Sequence, residues 1–253
     1  MEGQVSGGDY VVGYCHGGMV VQLFHRSLMR MVLRDVTGRK GWRGEISIEH
    51  LYVPWARNEV VVRFLEAPRP VEWLLMVDTD MVFEPDTADR LMDSANAVGA
   101  RVLAGLYFGY CSTSDPGVLY PVWYEEDVGG QAEYRTVGKL DLDGPQRLAA
   151  CGMGCCLIHR EVLVAMDEMY RAYPLNARWF GFDDGRELRA PNQITQMGED
   201  LSFCRRAVRC GYPVWGDSRI RLGHVKRRIE TFDTWRGKDA DRVSDSAPHQ
   251  AAL

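Results

Sequence analysis

The sequence predicts an α/β fold in which helices flank a mainly parallel central sheet, with a small antiparallel subregion beside it. In residues 10–110, short apolar runs alternate with segments of helical periodicity, which is the pattern of consecutive βαβ units. Residues 74–77 form a continuous apolar run that leads directly into Asp78-Thr79-Asp80, as in a strand buried on both faces. After residue 110 the segments become short and alternate around Gly-rich turns, which indicates hairpins.

The first half of the chain supplies strands and helices in alternation. The predicted strands cover residues 11–14, 45–53, 74–77 and 101–108. The predicted helices cover residues 20–34, 54–65 and 86–98. The first helix is predicted because Val20, Phe24, Leu28 and Met31 recur three and four positions apart. Asn58 is interpreted as a cap of the second helix.

The second half mixes short strands with two helices. A hairpin is predicted from residues 118–124 and 132–137, and helices are predicted over 160–170 and 199–210. The helix from 199 is expected to turn Leu201, Phe203, Cys204 and Val208 inward. The remaining predicted strands are residues 148–158, 212–215 and 220–224, the last two joined by a turn at Gly216-Asp217.

Composition narrows the class of protein. The 253 residues are 46% hydrophobic and 26% charged, which suits a globular domain, and the net charge of −5 argues against a nucleic-acid binder with an overall basic surface. No apolar run has the length of a membrane span, and the start of the chain lacks a signal-peptide pattern. Seven cysteines, an odd number, predict mainly reduced thiols and a cytoplasmic protein.

Polar clusters follow several of these elements. Asp78-Thr79-Asp80 ends a buried strand, Glu199-Asp200 opens a helix and His224 ends the last strand. Ligands of open α/β folds bind at the carboxyl ends of the strands, and paired carboxylates there can share a divalent cation with a phosphate. Taken singly, each cluster also has a structural interpretation: helix capping for the carboxylates, and an ordinary strand end for the histidine.

Five motifs in a fixed order carry a family resemblance. They are Ala56-Arg57-Asn58, Leu75-Met76-Val77-Asp78-Thr79-Asp80, Gly152-Met153-Gly154-Cys155-Cys156, Gly198-Glu199-Asp200-Leu201 and Gly223-His224. This order resembles the GT-A fold glycosyltransferases and is most similar to glycosyltransferase family 2, over residues 10–226. The resemblance implies a Rossmann-like GT-A fold and a metal-dependent, hexosyltransferase-like transfer of a sugar from a nucleotide-diphosphate sugar to a hydroxyl acceptor.

The resemblance also implies roles on the donor side. Asp78, Asp80 and His224 would form the metal site, with Asp80 the direct ligand and Asp78 on the ribose or a metal-bound water. An imidazole ligand suits Mn²⁺ better than Mg²⁺, so Mn²⁺ is favoured and Mg²⁺ remains possible. Donor-binding residues implied by the same motifs are Arg57, Asp78, Thr79, Asp80, Gly152, Met153 and Gly154.

The acceptor side follows from the acidic pair. Asp200 matches the general base of inverting members, and Glu199 matches an acceptor-binding group. We predict a flexible N-terminus at 1–9, a single catalytic domain at 10–237 and a disordered tail at 238–253. Within the domain, 10–110 would be the donor half and 111–237 the acceptor half. Residues 173–198 are expected to form a lid.

Several alternatives stay open at this point. One alternative is a nucleotidyltransferase, although the turn at Gly17-Gly18 lacks the basic residue of a phosphate loop. The other is a non-catalytic nucleotide-sugar-binding module. The acceptor is undetermined among a glycan, a protein side chain, a lipid-linked sugar and a hydroxylated base in nucleic acid. Stereochemistry and oligomeric state are also undetermined.

Further residues have side chains that could bind a phosphate, a sugar, a base or a zinc ion. Basic residues that could face phosphates are Arg178, Arg186, Arg189, Lys226, Arg227 and Arg228. Trp179 and Phe180 are interpreted either as a stacking surface for a sugar or base or as core anchors. A zinc site at Cys151, Cys155 and Cys156 is disfavoured, because the spacing matches no CxxC pair and the neighbouring residues are apolar.

Overall fold

A computed structural model describes residues 8–38, 40–110, 119–128, 133–182 and 197–226. Its first strands and helices alternate as the sequence predicts. The strands are β1 Tyr10–His16, β2 Trp42–Glu49, β3 Trp73–Val77, β4 Met81–Val82, β5 Val102–Leu106, β6 Phe108–Tyr110 and β7 Leu119–Pro121. They continue as β8 Trp123–Glu126, β9 Tyr134–Thr136, β10 Pro145–Leu148, β11 Ala150–Cys151, β12 Cys155–His159, β13 Val214–Arg221 and β14 Gly223–His224.

Along the chain, the helices connect strands of the main sheet, and in space they pack on its two faces. They are α1 Gln22–Gly38, α2 Val53–Glu66, α3 Thr87–Val98, α4 Arg160–Met169 and α5 Glu199–Arg209, with a 3-10 turn at Leu175–Ala177. Gly99 ends α3 in the left-handed conformation with φ of 66°, which glycine adopts without the steric cost that a Cβ would bring. No helix in these described ranges is long and apolar enough to span a membrane.

The main sheet has seven described strands in the order β10-β13-β5-β12-β3-β1-β2. Strands β1, β2, β3, β5 and β13 run in one direction, while β10 and β12 oppose them. The fold is therefore the predicted α/β type with a mainly parallel centre. The insertion of antiparallel β12 between β3 and β5 was not predicted, because pairing across the sheet leaves no local signal in the sequence.

Two hydrophobic cores lie on opposite faces of this sheet. Successive side chains of β3 point to opposite sides, so Leu74 and Met76 join one core while Leu75 and Val77 join the other. Helices α2, α4 and α5 cover the first face, and α1 and α3 cover the second. All five side chains of β3 are buried, as its continuous apolar run predicts.

The second half of the chain corrects several predictions. The single strand predicted over 148–158 is divided among β10, β11 and β12, because the backbone turns at Gly152 and Gly154. Conversely, no turn separates the two strands predicted around Gly216-Asp217, because β13 runs through both residues, and the end of the second predicted strand forms β14. The first arm of the predicted hairpin, 118–124, is divided between β7, which pairs with β6, and β8, which pairs antiparallel with β9 as predicted. Strand β11 adds onto β8 to form a small separate sheet.

Helix α5 is amphipathic, but its inner face differs from the predicted one. Phe203 and Cys204 are buried as expected, while Val208 is exposed. Ser202, Arg206 and Ala207 take the remaining inner positions. The guanidinium of Arg206 donates to the carbonyl groups of Ala177 and Arg178, so a cation occupies a place that hydrophobicity alone assigns to an apolar side chain.

Candidate active site

The polar clusters meet at one edge of the main sheet. Strands β1, β2, β3, β5 and β13 all end there, so Asp78 follows β3 at the same edge at which His224 follows β13. Helix α5 precedes β13 and runs opposite to it, which places Glu199 and Asp200 at this edge too. The sheet topology thus brings together residues as far apart in the chain as Asp80 and His224, which are separated by 144 positions.

Asp80 and His224 are held together by a short strand pair. Strand β14 pairs antiparallel with β4, and the Val225 amide donates to the Asp80 carbonyl at 2.8 Å. His224 Nε2 then lies 3.1 Å from Asp80 Oδ2, and Lys226 Nζ lies 3.1 Å from the same oxygen. Two residues beyond the main sheet therefore converge on one carboxylate oxygen.

The orientation of His224 leaves its Nε2 available as a ligand. Its Nδ1 is 2.7 Å from the carbonyl oxygen of Phe108, which can only accept, so Nδ1 carries a proton. In the neutral ring Nε2 therefore presents a lone pair towards the Asp80 carboxylate. Two such acceptors at 3.1 Å require a proton or a cation between them. A backbone carbonyl on the second ring nitrogen is the usual support of a metal-binding histidine.

The described residues of this edge do not form a complete metal site from protein side chains alone. The described residues contain no cluster of three or more His, Cys, Asp or Glu side chains that could hold a metal ion. Asp78, which was predicted to share the metal, has its Oδ1 engaged by Arg57 at 2.8 Å. Asp80 and His224 remain a pair that fits a small divalent cation completed by substrate phosphate and water oxygens, which is the common arrangement for Mg²⁺.

Arg57 bridges the two acidic motifs. Its Nη2 donates to Asp78 Oδ1 at 2.8 Å and its Nη1 donates to Glu199 Oε1 at 2.7 Å. The Arg57 side chain is only 6% exposed, whereas Asp78 is 42% exposed and Glu199 20% exposed. A planar guanidinium can serve two carboxylates at once, which a lysine ammonium on a single stem does less well.

The pKa values of Arg57 and Asp200 are both raised, but for different reasons. Burial alone disfavours the charged guanidinium, but Asp78 and Glu199 outweigh it and raise the pKa of Arg57 above its ordinary value. Burial also raises the pKa of the Asp200 carboxyl, against the opposing effect of Arg57. Asp200 Oδ1 accepts from the Leu201 amide at 2.8 Å. A carboxylate with a raised pKa is a stronger proton acceptor.

The loop Gly152-Met153-Gly154 lies directly beside Asp78, whose amide donates to the Gly154 carbonyl at 3.1 Å. A Cβ on Gly152 would come within 2.2 Å of the Tyr107 hydroxyl, and one on Gly154 within 2.6 Å of the Tyr107 ring. Both glycines are thus required by packing against Tyr107. All three residues of this loop are buried, and the amides of both glycines donate to partners within the protein, to the Val122 carbonyl from Gly152 and to the Tyr107 hydroxyl from Gly154.

Tyr107 is a site residue that sequence analysis missed. Its hydroxyl accepts from the Gly154 amide at 3.1 Å, and its ring stands perpendicular to the His224 ring at 5.3 Å. Burial raises the pKa of Tyr107 well above its ordinary value, so the hydroxyl stays neutral. The available signal was an aromatic residue at the carboxyl end of a buried strand.

Asn58 and the aromatic residues that follow residue 178 have structural roles. Asn58 does not cap α2, which begins after Tyr52. Its buried amide binds the segment that crosses α2, accepting from the Trp179 amide at 2.9 Å and donating to the Phe180 carbonyl at 2.5 Å. Trp179 and Phe180 are both buried, so they are core anchors and the stacking interpretation is wrong.

The predicted lid and phosphate-facing cations are only partly described. Asn58 binds the carbonyl groups of Asn176 and Phe180, and Phe180 is buried, so this segment is fixed to α2 and a lid cannot begin at 173. Residues 183–196 lie outside the described part of the chain, as do Arg186, Arg189, Arg227 and Arg228. The charge of Arg178 is already paired with Asp167, which does not favour its predicted contact with a phosphate. Thr79 lies between the two aspartates, and its carbonyl accepts from the Val21 amide.

The cysteines behave as small apolar residues. All six that the structure describes are free thiols. Cys151, Cys155 and Cys156 are buried, and burial raises the pKa of Cys155 to about 12, so its thiol is protonated at neutral pH. With no three-residue metal cluster in the described ranges, these thiols provide no support for a zinc site.

Replacing Arg57 with methionine is expected to destabilise the protein by about 2–3 kcal/mol. The change leaves two neighbouring carboxylates without their shared cation, and the cost is at the lower end for a buried pair because Asp78 is partly exposed. Urea unfolding measures the difference. The matched control is Arg63→Met on the same helix, whose exposed pair with Glu59 predicts less than about 0.5 kcal/mol. Equal midpoints for the two variants would contradict the structural importance of the bridge.

Comparisons of the whole sequence give no assignment. No family model matches the chain, and no curated protein matches it. What relates this chain to known proteins is therefore its fold.

Two solved structures illustrate the similarity of fold. A197 from STIV is 16% identical, with a TM-score of 0.50 over 87% of this chain and 86% of that chain. GalNAc-T7, crystallised with UDP, GalNAc and Mn²⁺, is 12% identical, with a TM-score of 0.54 over 88% of this chain. The match spans 45% of the GalNAc-T7 chain. At these identities the likeness shows the fold alone, which is GT-A-like and not specific to family 2.

Proposed function

We propose that this protein is a metal-dependent glycosyltransferase that moves a sugar from a nucleotide-diphosphate sugar to a hydroxyl acceptor. The observation that carries the proposal is the convergence of Asp78-Thr79-Asp80, Glu199-Asp200 and His224 at one sheet edge. Support comes from the GT-A-like fold shared with GalNAc-T7, a structure that holds UDP, GalNAc and Mn²⁺. Fold alone does not determine chemistry, so the residues at the site carry the argument.

The donor side of the proposal rests on Asp80 and His224. Their side chains would hold Mn²⁺, or Mg²⁺, together with diphosphate oxygens of the donor. When bound, the cation would neutralise charge that develops on the leaving nucleotide diphosphate. Lys226, which contacts Asp80 Oδ2, would place a second positive charge beside the same phosphates. The backbone of residues 152–154 would lie beneath the donor beside Asp78.

The acceptor side rests on the acidic pair that begins α5. Asp200 would accept the proton of the attacking hydroxyl, and its half-buried position and raised pKa suit that role. Glu199 would orient the acceptor, with its other oxygen free of the Arg57 contact at Oε1. Arg57 would hold Asp78 and Glu199 together and so fix the position of the donor side relative to the acceptor side of the site.

The same proposal assigns the two parts of the chain. Residues 10–110 would form the donor half and 111–237 the acceptor half of a single catalytic domain. A base as favourably placed as Asp200 favours inversion at the sugar carbon. Similarity to family 2 in particular, and a cytoplasmic location, remain predictions from the sequence.

Thermal unfolding with nucleotides tests the donor site without knowledge of the acceptor. A ligand that binds only the folded state raises its stability, so one nucleotide diphosphate or nucleotide sugar should raise Tm in the presence of Mn²⁺. At a ligand concentration about 100 times Kd, the gain is roughly 2.7 kcal/mol. The same nucleotide with EDTA is the control. If no nucleotide in a panel of the common bases shifts Tm with Mn²⁺, the proposed donor is wrong.

A further inference from the structure

A group of exposed aromatic side chains borders the candidate active site at the start of α2. Tyr52, Trp55 and Phe182 are 57%, 49% and 37% exposed. The Tyr52 ring lies 6.0 Å from the Phe182 ring at a 31° tilt and 6.1 Å from the Trp55 ring, which is perpendicular to it. We call these three residues the aromatic platform. Aromatic rings that pack on one another yet remain in water form a contiguous apolar surface, which commonly marks a binding site.

Short, well-fixed connections join the platform to the acidic residues. Trp55 lies two residues before Arg57 in α2, and Arg57 binds Asp78 and Glu199. The next residue, Asn58, binds the backbone of Phe180, which is two residues before Phe182. Both sides of the platform are therefore anchored to the turn of α2 that holds the acidic groups. Such anchoring limits the ordering cost when a ligand binds.

The position of the platform favours the acceptor over the donor nucleotide. Helices α2 and α5 pack on one face of the sheet, so the platform shares its layer with Glu199 and Asp200. The β4–β14 pair that carries Asp80 and His224 packs with α1 on the other face, through Met81 and Leu222. A molecule lying on the platform thus approaches the acidic pair from the α2 side.

We propose that the platform binds a pyranose ring of the acceptor, an inference that rests on the proposed glycosyl transfer. One face of a pyranose presents C–H groups, and these are attracted to the negative face of an aromatic ring. The sugar hydroxyls lie around the rim of the ring and remain free for the carboxylates of Glu199 and Asp200. The platform selects a carbohydrate acceptor because it supplies apolar ring faces and no charge. A nucleic-acid acceptor would bring phosphate charges that these three uncharged side chains do not neutralise, so the acceptor that we infer is a glycan.

Saturation-transfer NMR with simple sugars tests this site. The probes are methyl β-D-glucopyranoside, methyl β-D-galactopyranoside, methyl α-D-mannopyranoside and methyl N-acetyl-β-D-glucosaminide, without metal or nucleotide. At least one should receive saturation at its ring C–H protons. Trp55→Ala and Tyr52→Ala should each weaken that binding by roughly fivefold, the loss expected for one aromatic contact. Tyr52→Phe keeps the ring and should bind as the wild type does.

Two control variants distinguish a specific sugar site from nonspecific binding and from misfolding. Leu142→Ala removes another large exposed apolar side chain, far along the chain between β9 and β10, and should leave sugar binding unchanged. Trp55→Leu keeps apolar bulk without an aromatic face, so it should fold as the wild type and still lose binding. All variants should keep the Mn²⁺-dependent Tm shift with nucleotide.

Three results would overturn the inference. They are binding of none of the four sugars by the wild type, unchanged binding in Trp55→Ala, and loss of the nucleotide-dependent Tm shift in Trp55→Ala. In the third case the platform would hold the donor base instead. Failure of the proposed function looks different, because the wild-type protein would then show no Mn²⁺-dependent nucleotide shift at all.

Discussion

Replacing Asp80 with alanine is expected to abolish metal-dependent turnover, with a loss of at least roughly 100-fold. Asp80 Oδ2 is the point on which His224 and Lys226 converge, so its removal takes away the only carboxylate of the proposed two-residue metal site. The Mn²⁺-dependent part of the nucleotide Tm shift should disappear with it. Release of the nucleotide diphosphate from the donor, with and without added Mn²⁺, measures the turnover.

Asp86→Ala is the matched control for this prediction. Asp86 lies six residues further along, just before α3, and its side chain makes no capping hydrogen bond. Its removal should leave the Mn²⁺-dependent Tm shift unchanged and turnover within about twofold of wild type. Substitutions outside the core, helix caps and buried polar networks change stability little. Full activity in Asp80→Ala would disprove the assignment of the metal site.

Replacing Asp200 with asparagine should reduce sugar transfer by about 10²–10⁴-fold while leaving donor binding intact. Asparagine keeps the size of the side chain and its contact with the Leu201 amide, but it cannot take a proton from the acceptor. Donor binding is measured by the Mn²⁺-dependent Tm shift, and transfer by product formation with a bound acceptor. Equal loss of both would indicate that Asp200 is structural.

The pH dependence of stability gives Asp200 a second, independent test. Because burial raises the pKa of this carboxyl, the folded state favours its neutral form. Stability linked to this group is therefore present at low pH and is lost as pH rises through the raised pKa. Asparagine mimics the neutral form, so the free energy of unfolding of Asp200→Asn should gain on that of wild type as pH rises. Activity of the wild type should rise over the same pH range, as the base becomes ionised.

Several structural features followed from local sequence patterns. The strand before Asp78 was predicted because a continuous apolar run suits burial on both faces, and all of β3 is buried. The α1 and α3 segments were predicted from helical spacing of apolar residues and agree within a few positions. The proximity of His224 to Asp80 was instead implied by the family resemblance, and the two side chains lie 3.1 Å apart.

Residue type alone did not identify the partners of Asn58, Gly152 and Gly154. Asn58 was interpreted as a helix cap because of its residue type, but its amide binds a segment about 120 positions later in the chain. Gly152 and Gly154 suggested close approach of a ligand, and the structure adds Tyr107 as the neighbour that excludes a side chain there. In both cases the residue type was informative, whereas its partner was not encoded nearby.

What the sequence determined by itself was the order of strands and helices and which of their ends carry acids. Those features depend on periodicity and on short motifs, so neighbouring residues suffice. The tertiary structure alone decided that Arg57 joins Asp78 and Glu199, which are 21 and 142 positions away, that β12 enters the sheet antiparallel, and that Phe182 meets Tyr52. These pairings arise from packing between distant segments, which no local pattern specifies.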